Sequence, residues 1–141
     1  MIEYKTGIEC IDWKMLTELY GQVGLVAGHG KDKDSSLIKK AFQASSKVVT
    51  AWNNEKLIGA GRLLTDGLCY GNIYDLGVLP EFQRQGIGSG IMVELMNGNE
   101  HLCIHLTSTF GNEHFYSKFG FQRHRTAMSK YPYQTEYLEK A

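Results

Sequence analysis

Residues 73–96 constrain the fold most. An apolar run over 73–79 stops at Pro80. A polar turn, Gln83-Arg84-Gln85, then leads into Gly86-Ile87-Gly88-Ser89, and an apolar pattern at helical spacing follows in Ile91, Met92, Leu95 and Met96. This is a strand, a loop and a helix opened by glycines. Such a loop can aim several backbone N–H groups at one anion, with the positive end of the helix dipole facing the same place. Gly86 and Gly88 carry no side chain to obstruct a closely approaching phosphate. The segment therefore predicts a site for a phosphorylated ligand at the helix start; the plainer reading is a tight turn.

Two nucleotide motifs fit badly. A P-loop needs Lys and then Ser/Thr after its last glycine, whereas Gly88 is followed by Ser89-Gly90. A dinucleotide fingerprint needs G-x-G-x-x-G near the start of a βαβ unit; here the glycines are spaced 86, 88, 90 and lie in the second half of the chain.

The rest of the chain supplies the frame. Its 141 residues suit one domain spanning 1–141, with no repeat or linker to divide it. Formal net charge is zero with scattered Lys and Arg, which argues against nucleic acid as a partner. No apolar run is long enough for a bilayer and the first residues do not begin a secretory signal, so no membrane partner is expected. Cys10, Cys69 and Cys103 form no framework; they are expected as buried, reduced thiols in a cytoplasmic protein. His101 and His105 lie four apart, but on a strand that spacing is about 13 Å, too far for one metal ion, and no metal site is expected.

The element order reads β-α-α-β-β-β-α-β-α-β. A short strand covers 2–6. Asp12 caps a helix carrying Trp13, Leu16, Leu19, Tyr20 and Val23, ending near Gly21 or Gly24. Residues 28–34 form a charged loop, and a second helix turns Leu37, Ile38, Ala41 and Phe42 inward. Strands over 47–52 and 57–64 meet at Asn53-Asn54, and Asp66-Gly67 turns into a strand over 70–79. After the glycine-opened helix come a strand over 102–107, a short helix over 111–119 closed by Gly120, and a last strand over 121–130. The hairpins make the first part of the sheet antiparallel, and the crossover helix makes the next strand parallel. The fold class is α/β, with a mixed, mostly antiparallel central sheet and flanking helices.

Gln83-x-x-Gly86-x-Gly88 after a strand resembles the acyl-CoA pyrophosphate loop, Q/R-x-x-G-x-G/A, of the GNAT N-acetyltransferase superfamily. A second block, Phe115-Tyr116-Ser117-Lys118-Phe119-Gly120-Phe121, resembles that family's F-Y-x-K-x-G-F segment at the usual distance. The resemblance implies a GNAT fold with a β-α-β acyl-CoA-binding core, acetyl-CoA as co-substrate, and a primary amine, of a small molecule, as acceptor. It allows a homodimer, a common state of members of this size. It places the pantetheine arm beside Leu76, Gly77 and Val78, paired like an added strand. The pyrophosphate falls at the loop of Gln83, Arg84, Gln85, Gly86, Ile87, Gly88 and Ser89, on backbone N–H groups over 85–89. Tyr116 matches the tyrosine beside the thioester sulfur, a phenol suited to protonating a departing thiolate; alternatively it packs with Phe115, Phe119 and Phe121.

The base is less legible. Asp75 lies just before the backbone that would hold the thioester, and is either a base or a structural acid; His105 is a rival better read as a packed histidine. A glutamate of some members falls at Asn72, which cannot act as a base, and an asparagine common seven residues before the tyrosine is Thr109 here, with Asn112 nearer. Asp66 and Asp75 would suit a cationic acceptor and Arg62 an anionic one. The competing functions are a non-catalytic acyl-CoA-binding sensor or partner module, and a generic nucleotide-binding domain.

Overall fold

The computed structural model describes residues 1–26 and 35–140. One compact unit spans Met1–Thr107, and a second begins at Ser108. The first is built on an open five-stranded sheet in the order β1 (Ile2–Thr6), β2 (Lys47–Asn53), β3 (Lys56–Thr65), β4 (Tyr70–Val78), β5 (Cys103–His105). β1 to β4 pair antiparallel, and β5 joins β4 in parallel. Three helices flank it: α1 (Trp13–Val23), α2 (Ser35–Gln43) and α3 (Ile87–Met96). This is the mixed, mostly antiparallel sheet expected.

Local chemistry explains the boundaries. The Asp12 carboxylate accepts from the N–H of Lys14 (2.9 Å) and Met15 (3.3 Å), satisfying donors that an α-helix leaves unpaired at its start. Gly24 ends α1 in the left-handed conformation, its N–H donating to the Tyr20 carbonyl. At the β3–β4 turn, Asp66 Oδ1 accepts from the N–H groups of Leu68, Cys69 and Tyr70. Those backbone donors, Cys69 first, hold its carboxyl below the ordinary value. Asp66 thus closes a turn.

The two sheet faces carry different helices. Gly59 and Gly61 point at Ile91 and Leu95 of α3, whereas a Cβ on Gly77 would meet Tyr20, Val23 and Leu25. Ala60 pairs with Gly77, so Gly77 lies on the face opposite to its neighbours' partners. α3 therefore covers one face and α1 the other. Leu16, Leu19, Tyr20, Ile38, Phe42, Ile58, Leu63, Ile91, Met92 and Leu95 are buried between helices and sheet.

Several expectations are corrected. Leu37 is exposed; α2 buries the narrower stripe of Ile38 and Phe42, one turn apart. β5 is only three residues long, because its ladder with β4 ends at the Asn72–His105 pair. Residues 121–130 form no strand; the segment is mostly polar, lacks alternation and holds a single β-branched residue, Thr126. Cys10, Cys69 and Cys103 are exposed thiols, not buried ones. Each sits at a loop or strand end, where a small apolar side chain is not drawn into the core. The loop expected at 28–34 lies outside the described residues. No described helix is long and apolar enough to cross a membrane.

Candidate active site

The glycine-opened helix forms as predicted. Pro80–Phe82 makes a single 3₁₀ turn after β4, and Gly86 caps α3 at φ 81°, a left-handed conformation costly for residues with a Cβ. The first intrahelical bond runs from the Gly90 N–H to the Gly86 carbonyl (3.0 Å). The amides of Ile87, Gly88 and Ser89 therefore point out of the helix start. No acidic residue lies in that first turn to offset the dipole, and nothing stands within 4 Å of where a Gly86 Cβ would be. Ile87 is buried and anchors this end. The loop side chains fold back on their own turn: Gln83 Nε2 donates to the Val78 carbonyl (2.9 Å) and Gln85 Nε2 to the Glu81 carbonyl (3.3 Å). The donors at this helix start are thus backbone amides, with exposed Arg84 beside them at φ 64°.

β4 contains a bulge. Ala60 faces Gly77 and Arg62 faces Tyr74, so Gly61 alone stands opposite both Asp75 and Leu76. The extra residue reverses the alternation of the strand. The Asp66 N–H bonds the Tyr70 carbonyl, and by steps of two Tyr70, Asn72 and Tyr74 turn their backbone groups toward β3. The Leu79 N–H bonds the Ile58 carbonyl, which counts back to Gly77 facing β3 as well. Even-numbered residues face β3 before the bulge and odd-numbered ones after it. Val78 consequently directs its N–H and carbonyl to the other edge, where Gln83 meets the carbonyl. That edge opens because the β4–β5 ladder stops at Asn72.

Asp75 occupies the bulge at φ 60°. Its carboxylate is largely buried and held on both oxygens: Oδ1 accepts the Val26 N–H (2.8 Å) and Oδ2 accepts Arg62 Nε (2.9 Å). Its carbonyl accepts the hydroxyl of buried Tyr20 (2.6 Å). Burial first, and the Asp75 charge second, raise the Tyr20 phenol well above its ordinary value. Arg62 Nη1 also reaches the Ala41 carbonyl (3.5 Å) and Ser45 Oγ (3.3 Å), and its guanidinium lies over Phe42 and Tyr74. With its donors engaged inside the fold, Arg62 is no ready partner for an anionic acceptor. Asn72 Nδ2 donates to the Tyr74 hydroxyl, and His105 stacks on Tyr70. Among the described residues no three His, Cys, Asp or Glu side chains are grouped to hold a metal ion.

In the second unit, α4 (Glu113–Ser117) carries Tyr116. Phe115 packs edge-on against Tyr116 with centroids 5.0 Å apart, Phe121 does so at 6.2 Å, and Phe119 lies 5.5 Å from Phe115. This is the expected aromatic cluster, and burial there raises the Tyr116 phenol above its ordinary value. Asn112 donates to Thr109 Oγ1, an internal tie of the turn before α4. Tyr20 and Val26 were missed as partners of Asp75. A regular β4 would point Asp75 away from Arg62's face, and the bulge reverses that.

The family model for the acetyltransferase (GNAT) domain matches residues 44–123. Comparison with curated proteins finds no match. A GNAT-family acetyltransferase from Streptococcus pneumoniae is 28% identical with a TM-score of 0.78, over 95% of this chain and all (100%) of that one. Glucosamine-6-phosphate N-acetyltransferase from Arabidopsis thaliana shares the fold at 19% identity, with a TM-score of 0.64 over 94% of this chain and 99% of that one. So does a predicted acetyltransferase from Clostridium acetobutylicum, solved with acetyl-CoA, at 16% identity and a TM-score of 0.70 over 93% and 96%.

Proposed function

The chain belongs to the GNAT acetyltransferase family, and from that premise we propose that it is an acetyl-CoA-dependent N-acetyltransferase acting on a primary amine of a small molecule, by direct transfer in a ternary complex. The observation that carries the reading is the pairing of a backbone anion cradle at the start of α3 with the open edge of β4 at Val78. The two are adjacent in sequence and tied by the Gln83–Val78 bond.

In this reading the amides of Ile87, Gly88 and Ser89 hold the pyrophosphate, and the free edge over 76–78 lies along the pantetheine arm. The Val78 N–H meets the thioester oxygen, where negative charge grows as the amine attacks. The attacking ammonium must first lose a proton, which passes to solvent water. Asp75 was one candidate base, but a carboxylate with both oxygens already accepting bonds is better suited to shaping the strand. The Tyr116 phenol, protonated at neutral pH, gives its proton to the departing thiolate.

The test is an amine screen with acetyl-CoA, following release of free thiol. Amine-dependent release of coenzyme A supports the reading. Tight acetyl-CoA binding without turnover on any amine would favour an acyl-CoA-binding module, and absence of binding would overturn both.

A further inference from the structure

Two non-glycine residues with left-handed backbone, Val26 (φ 59°) and Asp75 (φ 60°), sit at opposite ends of one hydrogen bond. A β-branched residue there is an outlier, and such conformations persist only when surrounding contacts over-determine them. Here the contacts come from three directions. Tyr20 of α1 holds the Asp75 carbonyl, the Val26 N–H takes one carboxylate oxygen, and Arg62 of β3 takes the other. Arg62 is in turn fixed by the end of α2 through Ala41 and Ser45, and by the Phe42 and Tyr74 rings. Its side chain is only 14% exposed, so it cannot lie open to a substrate.

We infer that Arg62 is a positioning residue: by holding Asp75 it keeps the β4 bulge in the phase that turns the Val78 N–H to the open edge. The inference rests on the acetyl-transfer reading above. Without the bulge, alternation from Tyr74 would turn Val78 toward β3 and Gly77 outward. Asp75 could then relax to an extended conformation, pointing its carboxylate to the α3 face and away from Arg62. The Arg62–Asp75 pair exists only in the bulged register, and therefore selects it. A lysine could supply the charge but not the Nε fork that reaches Asp75, Ala41 and Ser45 together.

The experiment compares wild type, Arg62→Lys, Arg62→Met and the double variant Arg62→Met/Asp75→Asn. The double variant removes both charges, so that no lone buried carboxylate can unfold the protein. Affinities for coenzyme A and for acetyl-CoA are measured, with the ¹³C shift of the bound thioester carbonyl in [1-¹³C]acetyl-CoA. Coenzyme A affinity should stay within about twofold of wild type, because sites sharing no partner behave independently. The preference for acetyl-CoA over coenzyme A should vanish, and the carbonyl resonance should return toward that of free acetyl-CoA; Arg62→Lys should restore neither. A folded double variant with the wild-type carbonyl shift would overturn the inference, as would a parallel loss of both affinities, the mark of a merely structural role. A wild-type protein that binds no acetyl-CoA would instead remove the underlying reading, and the inference with it.

Discussion

Gly90 offers a sharp test of how α3 is seated. A Cβ built there falls on the hydroxyl and Cζ of Tyr4, and within 2.8 Å of its Cε1. Tyr4 belongs to β1, so the fit locks α3 against the first strand of the sheet. In Gly90→Ala two effects oppose each other. Replacing glycine inside a helix stabilises by about 1 kcal/mol, whereas overpacking costs roughly 1–3 kcal/mol. The single variant should therefore lie between neutral and about 2 kcal/mol less stable. In a Tyr4→Ala background the obstruction is gone, and the same substitution should stabilise by about 1 kcal/mol. The double-mutant cycle should thus return a coupling of roughly 1–3 kcal/mol, read from urea unfolding midpoints at constant slope. If Gly90→Ala stabilised equally in both backgrounds, the seating of Tyr4 over Gly90 would be refuted.

Three further outcomes are expected. Gly86→Val, at φ 81°, should lose about 1–2 kcal/mol of stability through left-handed strain; it should also weaken acetyl-CoA binding by calorimetry, and unchanged affinity in the folded variant would remove the loop from the site. Tyr116→Phe should lower kcat by roughly 10²–10⁴-fold if chemistry limits turnover, with melting temperature and acetyl-CoA affinity near wild type; near-normal turnover would return Tyr116 to aromatic packing. The folded state holds the Tyr20 proton more tightly than the unfolded chain, whose tyrosines titrate near pH 10. The stability this contributes is whole below that pH and is lost as pH rises through the folded value, so Tyr20→Phe should show a shallower alkaline fall in melting temperature than wild type.

Much of this architecture was legible. Hydrophobic alternation, the Asn53-Asn54 and Asp66-Gly67 turns and the Asp12 cap report local chemistry, and local chemistry placed the first four strands and three helices. The glycine-opened helix start was legible because Gly86 and Gly88 interrupt a strand-to-helix passage in a way few other geometries require. What escaped was non-local. The length of β5 depends on where β4 stops offering a partner, which no residue between Leu102 and Thr107 encodes. The last strand failed because Phe121 and Met128 are too sparse an apolar pattern to pair. The Arg62–Asp75 pair was hidden by the bulge: hairpin arithmetic from Asp66-Gly67 places Arg62 opposite Tyr74, and simple alternation then sends Asp75 to the wrong face. Asp66 looked like an acid awaiting a cation, whereas its nearest donors were the amides of its own turn.

The bulge also divides β4 into stretches with different tolerance for changes in chain length. Removing one residue between Tyr74 and Gly77 would take out the bulge but leave Gly77 facing β3 and Val78 facing outward, because the alternation from Tyr74 would then reach Gly77 in two steps. A deletion of Asp75 would instead remove the strand's bonds to Tyr20, Val26 and Arg62. At the other end of the same strand, a side chain on Gly67 would meet nothing within 4 Å, and residues 66–70 are exposed or nearly so. Lengthening that turn would disturb only its own hydrogen bonds. Insertions and deletions should therefore accumulate at the hairpin tip and be purged around Asp75.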